Sequence, residues 1–175
     1  TGKMFAVEHE GVEPDILLSA KGLGSGMPIG AIISREEITT WPSGAHGSTF
    51  GGNPVCCAAA LATLDLVENG LMANAERMGT RLRAGLDRLA ERYQVIGDIR
   101  GHGLMLGVEF VTDRASKTPH PDLVDRLVQT AFTQGLLLLG AGPNSLRLAP
   151  PLMVDEYDID LVLTKLDELL GSLTG

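Results

Sequence analysis

Lys21 occupies a position where a lysine needs a chemical reason. It follows the apolar run Ile16-Leu17-Leu18, precedes Gly22, Gly24, Gly26, Pro28 and Gly30, and is succeeded by a second apolar run, Ala31-Ile32-Ile33. Two short apolar runs separated by glycines and a proline predict two buried strands joined by a tight loop. A lysine is rarely buried without a partner, so a surface lysine on a sharp loop is the plain alternative. An amine taken out of water at the end of a buried strand is held more readily in its neutral form, which is the nucleophile that condenses with a carbonyl group. A phosphate loop fails on order, because its lysine follows the glycines whereas Lys21 precedes them. A dinucleotide fingerprint would need glycine at Met27. The glycines are better read as permitting positive φ and close backbone approach beside the amine.

Two further residues could do chemistry. Arg147 lies within Leu146-Arg147-Leu148-Ala149, just before Pro150-Pro151. A permanently charged planar fork in an apolar strand calls for an anion, and its geometry suits a carboxylate bidentately. A structural ion pair with an acid such as Glu109 competes with that reading. Thr49 stands in Ser48-Thr49-Phe50-Gly51-Gly52, ahead of Asn53 and Pro54. Asn53 is a good helix cap and Pro54 a good first helical residue, so an ordinary helix entry accounts for this stretch. The same entry could also receive an anion.

The elements that must position these residues are legible from periodicity. A helix is predicted from Pro54 to about Glu68, ended by Asn69-Gly70. A second runs from Leu71 to Tyr93, with an apolar stripe at Leu71, Ala75, Met78, Leu82, Leu86 and Leu89 and a solvated face at Arg77, Arg81 and Arg83. Val95–Ile99 and Leu104–Val111 read as strands around Gly101-His102-Gly103, and 112–121 as a loop. Leu123–Thr133 is helical, closed by Gly135. Leu136–Leu139 reads as a buried strand and Ser145–Ala149 as another. Asp155 caps a last helix whose stripe is Ile159, Val162, Leu163, Leu166 and Leu170. Strands and helices so mixed give an α/β architecture with helices covering a small sheet.

Composition restricts the partners. The chain has 175 residues, a net charge of -8, 44% hydrophobic and 21% charged residues. Its acidity argues against nucleic acid or an anionic membrane surface as partners. No apolar run approaches transmembrane length and no leader opens the chain, so a cytoplasmic location is expected. The two cysteines, Cys56 and Cys57, are adjacent and would not face each other on a helix, so they are expected as reduced thiols. No residue is assigned to a metal.

Taken in order, Pro14-Asp15-Ile16, Ser19-Ala20-Lys21-Gly22-Leu23-Gly24-Ser25-Gly26-Met27-Pro28-Ile29-Gly30-Ala31, Gly47-Ser48-Thr49-Phe50-Gly51-Gly52-Asn53-Pro54, Arg100-Gly101-His102-Gly103-Leu104-Met105 and Arg147-Leu148-Ala149-Pro150-Pro151-Leu152 resemble the blocks of class III aminotransferases, the relatives of ornithine, acetylornithine and 4-aminobutyrate aminotransferases. The opening Thr1-Gly2-Lys3-Met4-Phe5-Ala6 resembles a phrase from the middle of such enzymes. The chain is therefore expected to be a carboxy-terminal portion of a fold-type I pyridoxal-phosphate (PLP) transferase, without the aspartate that holds the pyridine nitrogen. Residues 1–70 would be part of the large cofactor domain and 71–175 the small α/β domain.

The resemblance implies PLP as cofactor and Lys21 as its Schiff-base lysine. It implies Thr49 as a ligand to the cofactor phosphate of the neighbouring subunit, hence a homodimer with shared active sites, and Arg147 as the binder of a substrate carboxylate. Substrates would be an amino acid, with an ω-amino acid such as 4-aminobutyrate preferred, and a 2-oxo acid. Arg100 is expected to be structural. Two alternatives stand beside amino transfer: a decarboxylase of the dialkylglycine decarboxylase type, and a catalytically incomplete fragment.

Overall fold

Glycine-rich punctuation between the two apolar runs produces a hairpin. In the computed structural model, which describes residues 1–175, β1 (Ile16–Ser19) pairs antiparallel with β2 (Ala31–Ser34) in the register Ile16↔Ser34 to Ser19↔Ala31. The pairing is as expected but the burial is not. Ile16, Leu18, Ile32 and Ile33 are all more than half exposed. Apolar residues on both faces are the pattern of a strand covered on both sides, and residues 1–175 supply neither a third strand nor a covering layer here.

This hairpin belongs to one of two units, Lys3–Gly70; the other is Leu71–Gly175 together with Thr1–Gly2. The first unit also holds α1 (Pro54–Leu66), whose cap is as expected: Asn53 Oδ1 accepts from the backbone N–H groups of Val55 and Cys56 at 3.0 and 3.3 Å. Cys56 is buried and Cys57 half-buried, and both are free thiols. The helical path continues through a wide turn at Val67–Leu71 that breaks at Gly70. The whole stretch Pro54–Arg92 is long and apolar enough to cross a membrane by length and composition alone.

The second unit is a sheet with helices on one face. β3 (Ile96–His102), β4 (Met105–Asp113), β7 (Ser145–Leu148) and β6 (Leu139–Gly140) lie in that order, all antiparallel, and β5 (Thr118–Pro119) pairs with the far end of β4. The stretch expected as a plain loop at 112–121 thus contributes a short strand. Leu136–Leu139 forms no buried strand: only Leu139 and Gly140 pair, at the sheet edge, and Leu137 and Leu139 are exposed.

α2 (Met72–Arg92), α3 (Pro121–Thr133) and α4 (Glu156–Thr174) cover the other face. The stripe of α2 is buried as its spacing requires, with Ala75, Met78, Leu82, Leu86 and Leu89 packed against Leu106, Phe110, Leu127, Leu146, Ile159 and Leu169. One crossing demands glycine: a Cβ on Gly79 would stand 2.2 Å from the carbonyl carbon of Gly103, which no rearrangement of a side chain could relieve. Arg114 donates to the carbonyls of Ala90 and Tyr93 at the end of α2, where a helix leaves such groups without partners, and to that of Ile96 at the start of β3. Asp155 caps α4 as expected, accepting from the Asp158 N–H at 3.0 Å.

Tyr93 joins α2 to α4 by donating its hydroxyl to Asp167 Oδ1 at 2.6 Å and to the Asp167 carbonyl at 3.0 Å. That hydrogen bond, aided by burial and by the charge of Asp167, holds the phenol above its ordinary value of 10.0. The folded chain therefore keeps this proton more tightly than the unfolded chain, so the contribution to stability is complete below about pH 10 and is lost as pH rises through the folded value. Urea denaturation of the wild type should show stability falling above about pH 10, and Tyr93→Phe should flatten that alkaline slope; an equally steep slope in the variant would contradict the assignment.

Candidate active site

Lys21 stands one residue beyond β1, at the start of a short 3-10 turn, Lys21–Gly24. Its φ is +52°, a left-handed conformation that glycine adopts freely and other residues adopt at a cost of roughly 1–2 kcal/mol. Ser25 is also left-handed at +46° and Gly26 at +104°. The turn packs on α1, and Thr63 Oγ1 in the last part of that helix donates to Ser25 Oγ at 2.9 Å. The Lys21 amine makes no hydrogen bond or ion pair within the chain and is exposed. The dry environment expected for it is thus not furnished by residues 1–175. What they furnish is a lysine fixed on a strained turn with its amine uncommitted.

Thr49 lies in the turn before α1, exposed and likewise without a hydrogen-bond partner. The N–H groups at the start of α1 are less free than the sequence suggested, because Asn53 already occupies two of them. Thr49 precedes the first turn of α1, whereas the Lys21 turn is tied through Ser25 to its last.

Arg147 belongs to the other unit. It lies on β7 between Gly107 of β4 and Leu139 of β6, in register with both. Neither neighbour can supply an anion. Its side chain is on the face opposite the helices and is exposed, while Leu146 and Leu148 turn inward. The strand around it borders a cavity of about 310 Å³ that also touches Leu136, Leu137, Pro150, Ile159 and Val162. The one carboxylate in that wall, Asp158, accepts from the Asp155 N–H in the helix cap.

The expected competitor for Arg147 is engaged elsewhere. Glu109 Oε2 accepts from Arg100 Nη1 at 2.7 Å, and Asp98 Oδ2 accepts from the same nitrogen at 2.9 Å. These hydrogen bonds, Asp98 first, hold the guanidinium of Arg100 still more firmly charged. The structural ion pair considered for Arg147 is therefore made by Arg100. Nothing in the sequence could distinguish the two, because Glu109 alternates onto the same sheet face as both arginines and only register decides. The pairing of Asp98 with Arg100 was accessible from their spacing of two on a strand.

Residues 1–170 match the model of the aminotransferase class-III family. An acetylornithine aminotransferase of Caldanaerobacter subterraneus subsp. tengcongensis is 42% identical over 99% of this chain and 42% of its own. A leucine/methionine racemase of Thermococcus litoralis is 41% identical over 99% of this chain and 40% of its own. Among solved structures, an aminotransferase of Bacillus anthracis superposes with a TM-score of 0.91 at 32% identity, over 98% of this chain and 42% of that one. The chain thus spans about two fifths of the length of the relatives it matches.

The strain at Lys21 gives a direct test of why a lysine is there. Lys21→Gly should be more stable than Lys21→Ala by about 1 kcal/mol, because only glycine relieves the left-handed backbone; chemical denaturation giving equal stabilities would contradict the conformation. Residues 1–170 and the solved-structure match leave one conclusion on identity: this chain belongs to the class-III aminotransferase family.

Proposed function

We propose that this chain carries the cofactor lysine and the carboxylate clamp of a PLP-dependent aminotransferase that moves an amino group from an amino acid to a 2-oxo acid. The observation that carries the reading is Lys21 itself. A lysine is kept on a left-handed turn where glycine would sit without strain, and strain retained in this way is characteristic of residues held for chemistry. The family match runs through it.

Lys21 is the residue that would hold PLP, through an amine that no group in the chain engages. When bound, the cofactor supplies an electron sink for the charge left on a substrate carbon that loses its proton. Lys21 Nζ would be the group that takes and returns that proton. Arg147 would hold the substrate carboxylate by paired N–H donors, fixing the reacting C–H bond in direction. Similarity to an acetylornithine aminotransferase favours donors with a primary amine remote from a carboxylate, of which 4-aminobutyrate is a simple member. The placement of Thr49 and the Lys21 turn at opposite ends of α1 supports Thr49 serving the phosphate of a neighbouring subunit's cofactor, in a homodimer with shared sites. The free thiols at Cys56 and Cys57 suit a reducing, cytoplasmic setting.

A second reading, racemisation, draws on the similarity to the leucine/methionine racemase and uses the same proton transfer at Lys21 without an amino acceptor. Full-length protein loaded with PLP should transfer the amino group of N-acetylornithine or 4-aminobutyrate to 2-oxoglutarate, and Lys21→Ala should abolish transfer. Borohydride reduction followed by peptide mapping should find the cofactor on Lys21. Label on another lysine would overturn the proposal, and loss of optical activity in leucine or methionine without consumption of 2-oxo acid would favour the racemase.

A further inference from the structure

β4 runs between two arginines. In one cross-strand row stand Arg100 on β3, Gly107 on β4 and Arg147 on β7, and in the next row Asp98, Glu109 and Ser145. Glu109 is therefore the diagonal neighbour of both arginines, a separation of about 7–8 Å between backbones that long side chains readily bridge. Gly107, between the arginines, places no side chain in the way. A carboxylate drawn across to a guanidinium on one side of β4 is drawn away from the guanidinium on the other side. In this structure Glu109 is with Arg100 at 2.7 Å, and Asp98 reinforces Arg100 at 2.9 Å. Arg147 is left without a counter-ion.

We infer that Arg100 is a positioning residue that detains Glu109, so that Arg147 stays open for a carboxylate-bearing substrate. The inference rests on the reading of Arg147 as the carboxylate clamp. Arg100 touches no reacting atom and acts only by occupying the acid that would otherwise neutralise Arg147. Asp98 contributes by anchoring Arg100 on the near side of Glu109. The role differs from a structural one in a specific way. Removing Arg100 should harm carboxylate binding only while Glu109 keeps its charge.

Glutarate, a dicarboxylate without an amine, serves as the probe, with binding to the full-length PLP-loaded protein measured by titration calorimetry. Arg147→Ala should lose glutarate binding, and unchanged binding would sink the clamp reading and this inference together. With that established, Arg100→Met, which keeps the side-chain stem, should weaken binding about tenfold or more, consistent with the few kcal/mol that separate a free from a paired charge. Adding Glu109→Gln to Arg100→Met should restore binding to within about threefold of wild type. Failure of the double variant to recover, or no effect of Arg100→Met, would overturn the role of Arg100 while leaving Arg147 intact. Should Arg100→Met not fold, Glu109→Gln alone decides. Binding equal to or tighter than wild type is expected, and tenfold weaker binding would contradict competition by Glu109.

Discussion

A guanidinium without a counter-ion is the constraint around which the carboxy-terminal unit makes sense. Eight of the other nine arginines have a hydrogen-bond or ion-pair partner. Arg35, Arg81, Arg83, Arg92 and Arg100 pair with carboxylates, Arg77 with Asn74, and Arg114 and Arg126 with backbone carbonyls. Arg147 has none of these, although an acid that could pair with it lies one diagonal away. An unpaired arginine is tolerated because it lies on the open face of the sheet, where water solvates it, while its neighbours Leu146 and Leu148 anchor the strand in the core. The sheet register therefore decides both where the charge points and what is denied to it.

A parallel economy governs the Lys21 turn. Its backbone is held in a conformation unfavourable to lysine, between a two-stranded hairpin and a helix that grips it through Ser25. A two-stranded hairpin alone is marginally stable, and its apolar residues face outward on both sides. The turn is thus pre-shaped by local sequence, whereas the surface that would dry the amine is not among these residues. Lys21 and Arg147 belong to different units, Lys3–Gly70 and Leu71–Gly175.

Much of the local structure was legible in the sequence. The stripes of α2 and α4, the caps at Asn53 and Asp155, and the glycine-rich turn at Lys21 follow from local chemistry, which a short window of residues contains in full. Burial was less legible. Ile16–Leu18 and Leu136–Leu139 are apolar, but burial depends on what covers a strand, and apolarity records only the demand for cover. The choice of Glu109 for Arg100 rather than Arg147 was not legible, since it depends on which residues oppose one another across β4. Lys21 and Arg147 could be named from residue type and neighbours, whereas their freedom from internal partners emerged only from the fold.

The most direct measurement compares, in full-length PLP-loaded protein, kcat/KM for 4-aminobutyrate and for propylamine, the same chain without its carboxylate, before and after Arg147→Ala. If Arg147 receives the substrate carboxylate, the variant should lose about 100-fold or more on 4-aminobutyrate and change propylamine by less than about threefold, as expected for removing one charge-assisted bidentate contact. Equal losses on both donors, or no loss on either, would contradict it.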